Sequence, residues 1–138
     1  MKAKPSLLVA VRPKGLPRLC KALEAEFSLA FCHTLADAQA MLDKDIQGIV
    51  CGTNFDESRM FDLLRYAKSK EQARNLPSVC VKVFGSVLHD GTFAGVEKAA
   101  KLLGASAYID FAQWRVEMGK LDAAMKLRST LHALIANH

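Results

Sequence analysis

A chain of 138 residues fits a single domain and is long enough to bury about two thirds of its unfolded surface, so it can fold without metal or disulfide support. Hydrophobic residues make up 51% and charged residues 24%, which excludes disorder, collagen and coiled coil as the governing class. The formal charge of +5 comes from 19 Lys+Arg against 14 Asp+Glu, but the basic residues are interleaved with acids, as in Lys21-Ala22-Leu23-Glu24 and Lys68-Ser69-Lys70-Glu71. That pattern reads as a solvated mixed surface, and with so few Tyr and Trp it argues against a nucleic-acid face. No apolar run approaches a membrane span of about 18 residues, and the first residues lack an apolar signal stretch; the expected location is the cytoplasm, with no membrane partner.

The first element is the apolar run Leu7-Leu8-Val9-Ala10-Val11, which looks like a strand buried on both faces and stops at Arg12-Pro13-Lys14-Gly15. Leu16, Leu19, Cys20, Leu23 and Phe27 follow at helical spacing, with Pro17 suited to the first turn. Residues 28–33 form a second strand, and Thr34 caps a helix whose apolar face is Leu35, Ala38, Met41 and Leu42. A third strand over 46–51 leads into a polar turn, and Ser58 or Asp56 is placed to cap a helix carrying Met60, Leu63, Leu64 and Ala67 inward. The fourth strand covers 79–84, a helix over 92–103 ends at Gly104 in the usual left-handed position, and the fifth strand covers 107–111. One helical stretch then runs over 112–136, about 37 Å at 1.5 Å per residue. Five strand–helix alternations with short connections predict an α/β fold: one doubly wound, five-stranded parallel sheet of the CheY/flavodoxin type with an extended C-terminal helix. The whole of 1–138 is one domain, its core at about 5–125 and a helical extension at 126–138.

In such folds function gathers at the carboxyl ends of the strands. None of those loops carries a glycine pattern that cradles phosphates, so no nucleotide cofactor is expected. Cys20, Cys32, Cys51 and Cys80 lack metal-knuckle and redox spacing and sit in apolar contexts, which suits small buried hydrophobes in a reducing compartment. His33, His89, His132 and His138 have no carboxylate or thiol at ligand spacing, and no metal site is expected. Lys82 inside an apolar strand is explained by an edge position or snorkelling rather than by Schiff-base chemistry. Asp110 reads as a cap for the last helix.

Three short matches carry a family resemblance. Ile49-Val50-Cys51-Gly52 followed by Phe61-Asp62-Leu63-Leu64-Arg65, Leu76-Pro77-Ser78-Val79, and Leu102-Leu103-Gly104-Ala105-Ser106-Ala107-Tyr108-Ile109 resemble the response-regulator receiver (CheY-like) family, over about residues 5–125. The resemblance implies an Asp phosphoacceptor ending strand three, an acidic pair after strand one for Mg²⁺, a Thr or Ser ending strand four, and a Lys ending strand five. Here the acceptor position falls on Gly52, the first loop reads Val11-Arg12-Pro13-Lys14, and the Lys position falls near Phe111. The hydroxyl is left to Ser86 or Ser78. The implied function is a degenerate, non-enzymatic pseudo-receiver: a phosphorylation-independent protein-interaction module of two-component-type signalling, with no cofactor, whose contacts run over the fourth strand, fourth helix, fifth strand and last helix.

A rival expectation is a small-ligand or enzymatic site in the loop 52–57, where Asp56 and Glu57 supply carboxylates; the competing role for both is to cap and charge-complement the next helix. Trp114, Met118, Leu121, Ala124 and Met125 form a stripe that can face the sheet, and Leu127, Leu131, Leu134 and Ile135 continue it. Those four either pack on the same sheet or serve as an interface, for a protein partner or a weak homodimer.

Overall fold

The computed structural model describes residues 4–42, 45–56, 59–85 and 90–137, the side chains of 90–94 excepted. Five parallel strands, β1 (Ser6–Ala10), β2 (Ser28–Cys32), β3 (Gly48–Gly52), β4 (Ser78–Lys82) and β5 (Ala107–Asp110), form one sheet in the order β2-β1-β3-β4-β5. The expected doubly wound fold is therefore present. The chain reverses direction across the sheet between β1 and β3, so the crevice beyond their carboxyl ends is the natural position for a site.

Period-two alternation along each strand explains the two cores. Leu7 and Val9 face one side with Val50, Val79, Val81 and Ile109, while Leu8 and Ala10 face the other with Ile49, Cys51 and Cys80. The first side is covered by α1 (Leu16–Leu23) through Leu19, Ala22 and Leu23, and by α6 (Lys120–Ala136) through Ala123, Leu127 and Leu131. The second is covered by α2 (Leu35–Met41), α3 (Met60–Ser69) and α4 (Asp90–Leu102), through Ala38, Leu63, Leu64, Ala67 and Ala100. α1 is shorter than the apolar spacing suggested: Phe27 is buried, but in the turn that leads to β2.

The final helical stretch departs from expectation. It is two helices, α5 (Phe111–Met118) and α6, separated at Gly119, where φ is 88° and ψ is 165°. Glycine alone reaches that backbone region without strain. The break re-phases the apolar stripe, leaving Leu121 and Met125 exposed and burying Leu127 and Leu131 completely. Leu134 and Ile135 are partly buried against the same cluster. Leu127 and Leu131 thus pack within their own chain, as the same-sheet reading expects for them.

α6 is also held by polar contacts to the last turn of α1 and the loop after it. Arg128 donates to the Ala22 carbonyl at 2.8 Å, and its Nε lies 2.6 Å from Glu26. His132 Nε2 sits 2.9 Å from the same carboxylate, and its ring stacks on Phe27 at 4.4 Å. Among the described residues no helix is long and apolar enough to cross a membrane.

Candidate functional site

β1 and β3 deliver their carboxyl ends side by side, pairing Ala10 with Cys51. Beyond them lies a cleft of about 50 Å³ lined by residues that include Val11, Arg12, Lys14, Gly52, Thr53 and Phe55. A volume of that size holds a few water molecules. Gly52 ends β3, and a Cβ placed there would meet Val11 Cγ1 at 3.2 Å, tighter than ordinary van der Waals contact. Phe55, fully buried, turns back beneath the loop through its N–H bond to the Gly52 carbonyl at 3.1 Å. Among the described residues no carboxylate lines this cleft, and Arg12 and Lys14 do. The residues present therefore do not fit a magnesium ion, which takes carboxylate oxygens and is repelled by adjacent cations.

Asp56 does not point a free carboxylate into the cleft. Its backbone is left-handed, with φ of 43°, and its Oδ2 accepts the Leu35 N–H at 2.7 Å. It therefore supports the N-terminus of α2, beside Thr34, whose hydroxyl accepts the Asp37 N–H at 3.2 Å as expected. The expectation that Asp56 caps the following helix is corrected: α3 has no side-chain cap. Glu57, Ser58, Ser86 and His89 lie outside the described residues.

The ends of β4 and β5 hold a pair that the sequence reading did not assemble. Lys82 is the last residue of β4 and lies in register with Asp110, their charged groups 3.7 Å apart and their side chains 14% and 25% exposed. β4 lies inside the sheet, so the expected edge position for Lys82 is wrong; the ammonium emerges at the strand's carboxyl end and meets a carboxylate there. Where the receiver resemblance puts a hydroxyl, this strand ends in a cation. Ser78 cannot replace it, because it begins β4, buried, with its N–H donating to Ser106 Oγ at 3.1 Å. Asp110 also accepts the Gln113 N–H at 3.0 Å, the helix cap expected of it, and Phe111 is buried in the core. The missed signal was register: Lys82 and Asp110 each end a strand, and those strands are neighbours.

The cysteines offer no nucleophile. Cys32, Cys51 and Cys80 are buried and unbridged. Burial pushes the Cys32 and Cys80 thiols up to about 12 and the Cys51 thiol well above its ordinary value. Cys20 is shifted upward first by donating to the Glu24 carboxylate. A thiol held neutral neither attacks nor ligates at neutral pH. Among the described residues no group of three His, Cys, Asp or Glu is placed to hold a metal.

No protein-family model and no curated protein sequence matches the chain. Solved structures do. The phosphorylated cyanobacterial phytochrome response regulator RcpA aligns over 99% of this chain and 97% of its own, at 14% identity and a TM-score of 0.71. The receiver domain of the sensor histidine kinase PA1611 from Pseudomonas aeruginosa, with magnesium in its active-site cleft, aligns over 97% and 99%, at 12% identity and a TM-score of 0.74. A CheY-like receiver domain protein from Methanospirillum hungatei aligns over 99% and 100%, at 14% identity and 0.69. The fold is that of the CheY-like receiver domains. At this identity the likeness concerns the backbone path, and the chemistry rests with the side chains.

Proposed function

We propose that the chain is a pseudo-receiver: a phosphorylation-independent protein-interaction module acting in two-component-type signal transduction. The observation that supports it is the content of the cleft beyond β1 and β3. Phosphoryl transfer to a receiver needs a carboxylate acceptor and a divalent cation that neutralises the moving charge. The cleft offers Gly52 as acceptor and Arg12 with Lys14 in place of the metal's acids. The neighbouring structures that are phosphorylated or carry magnesium share the frame, and this chain keeps that frame with Gly52, Arg12 and Lys14 at the cleft. A small-ligand or enzymatic site in the loop 52–57 draws no comparable support, since the cleft is small and Asp56 is occupied at α2.

Binding over β4, α4, β5 and the last helical stretch is the proposed output, with Leu102 of α4 and Val116 of α5 exposed for a protein partner. The test is incubation with acetyl phosphate and Mg²⁺ followed by intact-mass measurement. Neither the native protein nor Gly52→Asp is expected to gain a phosphoryl group, because the substitution restores a carboxylate and leaves both cations in place. A hydroxylamine-labile phosphate on the native chain overturns the proposal.

A further inference from the structure

A second cleft, of about 480 Å³, opens between the carboxyl ends of β4 and β5, α1 and α5, and shares no lining residue with the cleft at Gly52. Among the described residues its charged lining is Arg18, Lys82, Arg115 and Lys120 against one carboxylate, Asp110, with Gln113 as a neutral hydrogen-bonding group. Asp110 is already committed to Lys82 and to the Gln113 N–H. Among the described residues Arg18, Arg115 and Lys120 have no ion-pair partner. Three cations gathered without counter-charge repel one another, and a bound anion relieves that repulsion.

Two features show that the cluster is constructed by the fold. Arg18 is fixed in place: its Nη1 donates to the Val83 carbonyl at 2.9 Å, and its guanidinium lies over the Phe84 ring at 4.4 Å. That bond uses one of its five N–H donors, and a guanidinium already immobilised loses little entropy on binding. The second feature is Gly119. On a continuous helix, residues five apart point about 140° away from each other. The interruption of the helix at Gly119, with φ of 88°, lets Arg115 and Lys120 line one cleft. Desolvation, and then the charge of Arg115, lower the pKa of the Arg18 guanidinium, in keeping with their closeness.

We propose that this cleft binds a compact polyanion, a small molecule bearing two or more closely spaced phosphate or carboxylate groups. The three unmatched cations call for more than one negative charge. The site stands independently of whether the Gly52 cleft accepts phosphate.

Isothermal titration calorimetry at low ionic strength tests it, with inorganic pyrophosphate in one arm and citrate in the other. Saturable one-to-one binding in either arm is expected, and the tighter arm names the anionic group. Each cation supplies charge-assisted hydrogen bonds to the anion, so Arg115→Gln and Lys120→Gln should each weaken binding by about tenfold or more. Lys101→Gln, on α4, should leave it unchanged. Both cleft positions are at the surface, so an unaltered unfolding midpoint is expected to accompany the loss. No saturable heat in either arm overturns the proposal. Equal weakening by Lys101→Gln does so too, since it would show diffuse attraction to net charge, as does binding indifferent to both cleft substitutions.

Discussion

Asp56 does two things that are separable by substitution. It holds a left-handed backbone, φ 43°, which costs most L-residues about 1–2 kcal/mol and Asp or Asn less. It also supplies the acceptor for the Leu35 N–H, tethering the loop after β3 to the start of α2. A lost helix cap typically costs about 1 kcal/mol. Asp56→Ala removes both contributions, and chemical denaturation should show a loss of about 1–3 kcal/mol. Asp56→Asn keeps a backbone-tolerant residue and an acceptor oxygen, so its loss should stay under about 1 kcal/mol. Equal losses would mean that the carboxylate charge at the helix N-terminus, rather than geometry, carries the effect. Local spacing made Thr34 readable as a cap, because its partner is three residues away. The partner of Asp56 is on another helix, and no spacing rule reaches it.

Gly119 decides how the last 28 residues are used. A lone glycine in a helical pattern costs only about 1 kcal/mol, so a pattern reading runs the helix straight through it. The stripe drawn on that assumption joined Trp114 and Met118 to Leu121 and Met125, and the latter two are 82% and 56% exposed. Restarting the count at Lys120 gives Ala123, Leu127 and Leu131, spaced four apart and fully buried. The two geometries predict opposite signs for Gly119→Ala. In an unbroken helix alanine stabilises by about 1 kcal/mol; at φ 88°, ψ 165° it destabilises by about 1–3 kcal/mol. A fall in the unfolding midpoint, with less anion binding in the cleft that Arg115 and Lys120 line, is the expected result. The strands and the other helices were legible because each is a short, uninterrupted pattern with its own punctuation: Pro13, Pro77 and Gly104 each lie at or near an element's end. The site was legible only as a deficit. Gly52 and Arg12 lie at or just past the ends of the apolar runs that form β3 and β1, whereas Lys82 with Asp110, and Arg18 with Arg115, meet across residues far apart in the chain.

A sheet with one side under α1 and α6 and the other under α2, α3 and α4 needs both coverings, because a parallel sheet leaves apolar side chains on each face. α6 therefore belongs to the core, and the Glu26 carboxylate between Arg128 and His132 fastens it to the loop that follows α1. Surface pairs of this kind contribute at most about 1 kcal/mol, so the larger share comes from Ala123, Leu127 and Leu131. Removing a fully buried leucine side chain costs about 2–5 kcal/mol when the cavity cannot collapse. Leu131→Ala should thus lower the thermal midpoint by on the order of 10 °C, from conversions of about 2–8 °C per kcal/mol at such sizes. Leu121→Ala, at an 82% exposed position nearer the start of α6, should move it by no more than a degree or two. The measurement is thermal unfolding by circular dichroism over a hundredfold range of protein concentration. A leucine buried within its own chain lowers the midpoint by the same amount at every concentration. A leucine buried between two copies gives a native midpoint that rises with concentration by mass action, and Leu131→Ala abolishes that rise. The placement of Leu131 at 1% exposure within a single chain predicts the first result.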